Sequence, residues 1–476
     1  EGEQWDTITV STALHVAASA WKEHQRTPNG SGACSNGGGG GGGGGATIDG
    51  KLWSEVRKHV RVRADDGVAR QFANNAWSLA VLKLQDRPLL EELASGLLLK
   101  ASELKTQEAS NCSWAFATAR CFHKPLYDVL SSQTFDRTDE CTNQELANSL
   151  WAMATALYEH RPLVLALSAR AERSGWGGFS TQNMANFLWA YAKLGYGAAG
   201  FLVSFKCEAT ERMTDFSAQD VVTTIWAMGT IQHRDEAFLR SCTAVLQRRT
   251  TLQPQHASNT LWALAAVAFA DAPIYSWLGG RASDRIVEFK PQESANAIWA
   301  LATATIKDGE LVSSVSWQVM RTLPDISTQS LANFVWAFTK LGYEQEAVLA
   351  AVQAEALRKR GRFSEQDLST TLWAFATAGR RDDAFLELWV DAIAATARQK
   401  PVKPQHTSNT LWALATLAFH DVPLFSVLAA GAVGRAGEFN VQDLSCVLWS
   451  LATVLHRDAP LAAAFAAQAA RRASAF

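Results

Sequence analysis

One tryptophan recurs at nearly constant distance along this chain: Trp77, Trp114, Trp151, Trp189, Trp226, Trp262, Trp299, Trp336, Trp373, Trp412 and Trp449, each 36 to 39 residues after the last. Every copy carries the same frame. Seven residues before the tryptophan stands glutamine in ten copies, from Gln107 to Gln442, with Arg70 in the first; three residues before it stands asparagine in eight. A unit repeated in this way buries its apolar face against neighbouring copies rather than in one closed core. The expected fold is all-α: an α-solenoid, a right-handed superhelix of about eleven two-helix repeats of about 37 residues.

Start and stop signals divide each unit into two helices, a first (A) of about 14 residues and a second (B) of about 12. Ser217, Ser364 and Asn440 stand two residues before the glutamine, at the N-cap of helix A, and Asp220, Asp367 and Asp443 follow three residues later, completing a capping box. Pro254, Pro291 and Pro404 precede the glutamine directly, at the first helical position, where the missing N–H costs nothing. Phe216, Phe363 and Phe439 are placed to staple onto Val221, Leu368 and Leu444. Helix B often opens on Asp-x-Pro, as at Asp271, Asp421 and Asp458.

Four segments follow. Residues 1–28 hold one amphipathic stretch, Thr12 to Arg26, read as an N-terminal helix or degenerate cap. Residues 29–46 carry nine consecutive glycines, whose backbone entropy makes a flexible insertion. Residues 47–69 contain a lead-in helix from about Ile48 to Val62, and residues 70–476 are the array. The stretch Ser180 to Trp189 returns 147 residues later as Ser327 to Trp336, so blocks of four units are repeated.

Counting helix A from its glutamine as position zero, positions 0, 4, 7 and 11 fall on one stripe, and positions 2, 6 and 9, mostly large and apolar, point the other way into the core. Small residues at positions 3 and 8 let neighbouring A helices approach. The stripe is the candidate RNA-binding face: Gln182, Asn186, Lys193, Gln255, Asn259, Gln292, Asn296, Gln329, Asn333, Lys340, Gln405 and Asn409. Two readings of it stand side by side. Repeated tryptophans and amides either form a packing ladder that bonds the neighbouring unit's backbone, or line a groove with aromatic and amide groups. A residue identical in every unit encodes no sequence, so any readout falls to the variable polar position 1: Asn183, Asp220, His256, Glu293, Ser330, Asp367, His406 and Asp443. Position 1 is equally the third residue of the capping box. Position 5 also varies. Basic residues in the turn after helix A, Arg161, Arg234, Arg380, Arg381 and Arg457, are candidates for a phosphate-contacting rim.

A formal net charge of −2 excludes a polyanion binder that works by bulk charge, so any nucleic-acid contact rests on local placement. Seven cysteines without a C-x-x-C pair give neither a disulfide framework nor a zinc site. The longest uncharged apolar run, Leu261 to Ala270, is half of what a membrane span needs, so a soluble chain is expected. Histidines and acids are dispersed, and no H-E-x-x-H, G-x-S-x-G or P-loop occurs. No enzyme activity, cofactor, metal or small-molecule substrate is expected.

The unit Gln-x-Leu-Ala-Asn-x-Leu-Trp-Ala, as in Gln144 to Ala152, resembles the octotricopeptide and heptatricopeptide repeats of organellar proteins, related to FAST-kinase-like and RAP-domain proteins; it is also similar to the helical-repeat proteins of the RNA-editing substrate-binding complex. The Pro-Pro-Pro-Glu-Trp signature of octotricopeptide units is absent. The resemblance implies binding of single-stranded RNA in organellar processing, stability, editing or translation, in a chloroplast or mitochondrion, with other RNA-processing or translation proteins as partners. The alternative is an armadillo-like scaffold for extended peptides, although that family orders its Trp and Asn the other way round.

Overall fold

A computed structural model describes residues 68–473 apart from 198–199, 250–251 and 344, together with residues 16, 18 and 19. Of the expected Thr12–Arg26 helix only those three residues are described, and they are helical. The glycine-rich segment and the lead-in helix lie outside the described residues. From residue 68 onward the chain is an all-α solenoid, and no strand occurs among the described residues.

Two compact units divide between Leu246 and Gln247. The first holds α1 (Ala69–Val81), α2 (Arg87–Leu99), α3 (Thr106–Thr118), α4 (Lys124–Asp136), α5 (Asn143–Ala156), α6 (Arg161–Ser174), α7 (Thr181–Lys193), α8 (Leu202–Glu211), α9 (Ala218–Thr230) and α10 (Glu236–Gln247), whose last residue falls just past the boundary. The second holds α11 (Pro254–Ala266), α12 (Ala272–Asp284), α13 (Pro291–Ala304), α14 (Gly309–Thr322), α15 (Thr328–Lys340), α16 (Glu346–Lys359), α17 (Glu365–Thr377), α18 (Asp383–Gln399), α19 (Pro404–Thr416), α20 (Val422–Val433), α21 (Val441–Thr453) and α22 (Ala459–Ala473). Odd-numbered helices are A, even-numbered are B.

The caps act as the spacing predicts. Ser217, Ser364 and Asn440 accept from the N–H of Asp220, Asp367 and Asp443, and those acids accept in return from the cap residue's own N–H. Asp271, Asp421 and Asp458 cap helix B through the N–H groups of Ile274, Leu424 and Leu461. His123 and His160 do the same with Nδ1, at 3.3 and 3.2 Å from the N–H of Leu126 and Leu163. Phe216, Phe363 and Phe439 are buried, as a staple requires.

Six residues after each repeat tryptophan the backbone turns left-handed. The positions are Lys83, Arg120, Leu157, Gln232, Ala268, Thr305, Ala418 and Leu455, with Gly195, Gly342 and Gly379 in the other three repeats. One such residue ends helix A and turns the chain toward B. Only glycine adopts it without steric cost, so eight repeats hold a side chain in a strained position.

Within each unit A helices pack on neighbouring A helices, and A helices such as α1, α3 and α13 also pack on the B helix that follows. The small residues make this possible: Ala147, Ala152, Ala185, Ala190, Ala295, Ala300, Ala332 and Ala337 are all sealed between adjacent A helices. Large residues at positions 2, 6 and 9, such as Leu146, Leu150 and Met153, are buried beneath. Each fully buried side chain of this kind contributes about 2 kcal/mol.

Every second repeat adds a staple. Arg137, Arg212, Arg285, Lys359 and Arg435, at or just after the end of a B helix, donate to backbone carbonyls at the previous joint: Leu104 at 3.0 Å, Gly177 at 3.4 Å, Leu252 at 3.1 Å, Ile326 at 2.6 Å and Val402 at 3.0 Å. Each also pairs with a nearby glutamate: Glu140, Glu208, Glu288, Glu355 and Glu438. These cations are spent on joining repeats.

Candidate nucleic-acid interface

The stripe lies at the surface. Its glutamines are exposed, apart from Gln255, which is half-buried together with the asparagines; Lys193 and Lys340 are exposed. The repeat tryptophans are half-buried, except that Trp449 in the last repeat is 48% exposed. The helical phase read from the sequence thus places these groups outward within each unit.

Most of the stripe's amides do not bond the neighbouring repeat's backbone among the described residues. The side chains of Asn111, Asn148, Asn186, Asn259, Asn296, Asn333 and Asn409 make no hydrogen bond among the described residues, and they are not sealed from water. Gln144, Gln182, Gln292, Gln329 and Gln405 are likewise open, whereas Gln219 donates to Thr223 Oγ1 at 3.1 Å. The indole N–H groups of Trp151, Trp189, Trp299, Trp336, Trp373 and Trp412 also make no hydrogen bond among the described residues. A half-buried amide with no protein partner keeps both its donor and its acceptor available to a ligand, in exchange for the water that reaches it.

The indoles themselves form a ladder. In the first unit Trp114, Trp151, Trp189 and Trp226 follow one another at centroid distances of 6.3, 6.4 and 6.2 Å, tilted by 32 to 36°. In the second, Trp299 and Trp336 lie 6.4 Å apart and Trp373 and Trp412 lie 6.0 Å apart. These values sit inside the favourable range for aromatic pairs. A base sandwiched between two rungs needs about twice the roughly 3.4 Å stacking rise, more than the ladder offers. Its rungs are therefore too close to admit a base between them.

Cations frame the stripe at both ends of the A helices. Lys340 Nζ lies 4.8 Å over the Trp336 ring, and Lys193 occupies the same place on α7. Lys105, Lys290 and Lys403 stand at the N-caps of α3, α13 and α19 and are exposed. None of these five forms an ion pair among the described residues. The three N-cap lysines were missed in the sequence, although a recurrent Lys two residues before the glutamine was the available signal.

The expected rim is different in character. Arg234 pairs with Glu236 at 2.6 Å and Arg381 with Asp383 at 2.7 Å. Arg380 pairs with Glu346 and donates to Gln353 Oε1 at 2.6 Å. Arg161 and Arg457 are exposed and carry no ion pair among the described residues.

Position 1, expected to read bases, points into the structure. Asp220, Ser330, Asp367, His406 and Asp443 are buried, and Asn183, His256 and Glu293 are half-buried. Asp220 and Asp367 accept from the hydroxyls of Thr181 and Thr328 in the preceding repeat, at 3.2 and 3.5 Å. His406 Nδ1 lies 2.6 Å from Glu365 Oε1, also of the preceding repeat. Ser330 bonds Ser327, and Glu293 accepts from Lys290 N–H at 2.9 Å. Burial pushes Glu293 up and His256 down from their ordinary values. These side chains are built into caps and joints. The variable position 5, from Asn75 to Val447, is buried throughout.

No group of three or more His, Cys, Asp or Glu able to hold a metal occurs among the described residues. The six described cysteines are free. No described helix is long and apolar enough to cross a membrane.

Comparison with known proteins bears on this geometry. No curated protein matches the chain. A chain from a homology model of the full-length AP-3 complex in an intermediate open conformation is similar over 94% of this chain and 76% of its own, at 9% identity and a TM-score of 0.28. At that score the likeness carries no argument. Family models are more informative: that of the RNA-editing substrate-binding complex 6 protein matches residues 263–474, and that of the RNA-editing substrate-binding complex 8 protein matches residues 45–365. They support the RNA-editing branch of the resemblance; the octotricopeptide, heptatricopeptide and FAST-kinase branches are not confirmed by them. Since the second match spans well over half of the sequence, the chain belongs to the RNA-editing substrate-binding complex 8 protein family.

Proposed function

We propose that this protein binds single-stranded RNA along its Gln/Asn/Trp stripes and serves RNA editing in an organelle as a non-catalytic member of a larger assembly, with other proteins supplying the chemistry. Family membership supports the editing role. The observation that carries RNA binding is the row of half-buried asparagine amides with no protein partner, repeated in both units beside indole N–H groups. Unstacked RNA offers donors and acceptors on its base edges and 2′-hydroxyls to such groups. The unpaired Lys105, Lys193, Lys290, Lys340 and Lys403 are placed to hold phosphates without reading sequence.

A gel shift or anisotropy titration with unstructured RNA over a range of salt tests this. Affinity should fall linearly with salt on logarithmic axes, and replacing the five lysines by alanine should reduce that slope by up to about 3 to 4. Replacing Asn186, Asn259, Asn296 and Asn333 together by alanine should weaken binding with the slope unchanged. An RNA that binds these variants as tightly as the parent chain overturns the assignment of the face. Absence of RNA binding with retention of an extended peptide favours the armadillo-like alternative.

A further inference from the structure

We infer that the RNA face is sequence-tolerant: it holds single-stranded RNA of any base composition with nearly equal affinity. The inference rests on the RNA-binding reading above and adds what that face selects.

A repeat protein that reads one base per unit needs two or three side chains per repeat that both vary and face the ligand. Among positions 0 to 7 of helix A, variation and exposure are largely separated. On each A helix the outward positions are 0, 4, 7 and 11, and the first three are nearly constant, with ten glutamines, eight asparagines and eleven tryptophans; position 11 is mostly Thr, with Lys193 and Lys340 placed for phosphates. Positions 1 and 5, where the repeats differ, are turned inward. Asp220, Asp367 and His406 are held by partners in the preceding repeat, and Thr224, Thr260 and Phe334 are fully buried. To reach a base, Asp220 has to abandon the cap of α9 and its bond to Thr181.

The constant groups discriminate poorly. A carboxamide carries a donor and an acceptor and exchanges them by turning over, so it can meet purine and pyrimidine edges alike. The indole N–H donates to any carbonyl or ring-nitrogen acceptor. Neighbouring indoles lie only 6.0 to 6.4 Å apart between centroids, too close for a base to stack between two rungs.

The test is equilibrium anisotropy of the full chain with labelled oligo(U), oligo(A), oligo(C) and one unstructured mixed-sequence RNA, all of one length and at one salt concentration. The expected result is dissociation constants within about threefold of one another, since a single bidentate base contact alone shifts affinity by about tenfold. A preference of about tenfold or more for one RNA, abolished by Asp220→Asn or His406→Asn in a variant that keeps its helical content, overturns the inference and restores position 1 as a reader. The same preference insensitive to those substitutions also overturns it, and moves readout to the stripe. If no RNA binds, the RNA-binding reading itself fails.

Discussion

Asp220 Oδ2 accepts a hydrogen bond from Thr181 Oγ1, one repeat earlier, at 3.2 Å, while accepting the N–H of its own cap residue Ser217 at the same distance. One carboxylate thus closes the start of α9 and ties it to the start of α7. Asp220→Ala should lower unfolding free energy by about 1 to 2 kcal/mol, the range for losing a cap with a partner left unpaired. The measurement is a urea titration. RNA affinity at constant helicity should stay unchanged; a selective loss of RNA binding contradicts the capping assignment.

The left-handed residue that ends each A helix makes a prediction of opposite sign. Leu157 has φ 53° and is 73% exposed, so its side chain gains little from burial to offset the backbone cost. Leu157→Gly should stabilise the chain by up to about 1 kcal/mol. Gly342→Ala, at φ 75°, should destabilise by about as much. Thermal melts of the two variants check the pair, and shifts in the same direction refute the explanation.

Glu355 lies between Arg358 and Lys359, with its carboxylate 2.5 Å from the guanidinium and 2.7 Å from Lys359 Nζ. Hydrogen bonds from Arg358 first, and from Lys359 too, hold its carboxyl at about 2, below the ordinary 4.5. Because the folded value is the lower one, the stabilisation is complete above 4.5 and is lost as pH falls toward 2. Glu355→Gln should be less stable than the parent near neutrality, and the difference should shrink as pH drops through that window. Urea midpoints measured across it would refute this if the difference stayed constant.

Two tryptophans separate ladder from core. Trp389 is fully buried, stacks on Phe385 at 4.9 Å and donates its indole N–H to Leu368 O at 3.1 Å. Trp389→Ala should cost about 3 to 5 kcal/mol. Trp189 is half-buried on the ladder, so Trp189→Ala should cost clearly less while weakening RNA binding. Calorimetry and anisotropy on both variants give the comparison.

The sequence alone determined the two-helix unit, its caps, the inward phase of Leu146, Leu150 and Met153 and the outward phase of the Gln/Asn/Trp stripe. These follow from helical periodicity and from side chains acting on backbone within three or four residues. Tertiary structure decided what depends on the neighbouring repeat: that Asp220 and His406 are joint residues, that Arg234 and Arg381 are paired while Lys105, Lys290 and Lys403 stand free, and that Arg137 and Lys359 staple alternate joints. A residue's angle on its own helix is written in spacing. Whether its polar group finds a partner some 30 to 40 residues away depends on how closely two helices pack, and only folding the chain reveals that.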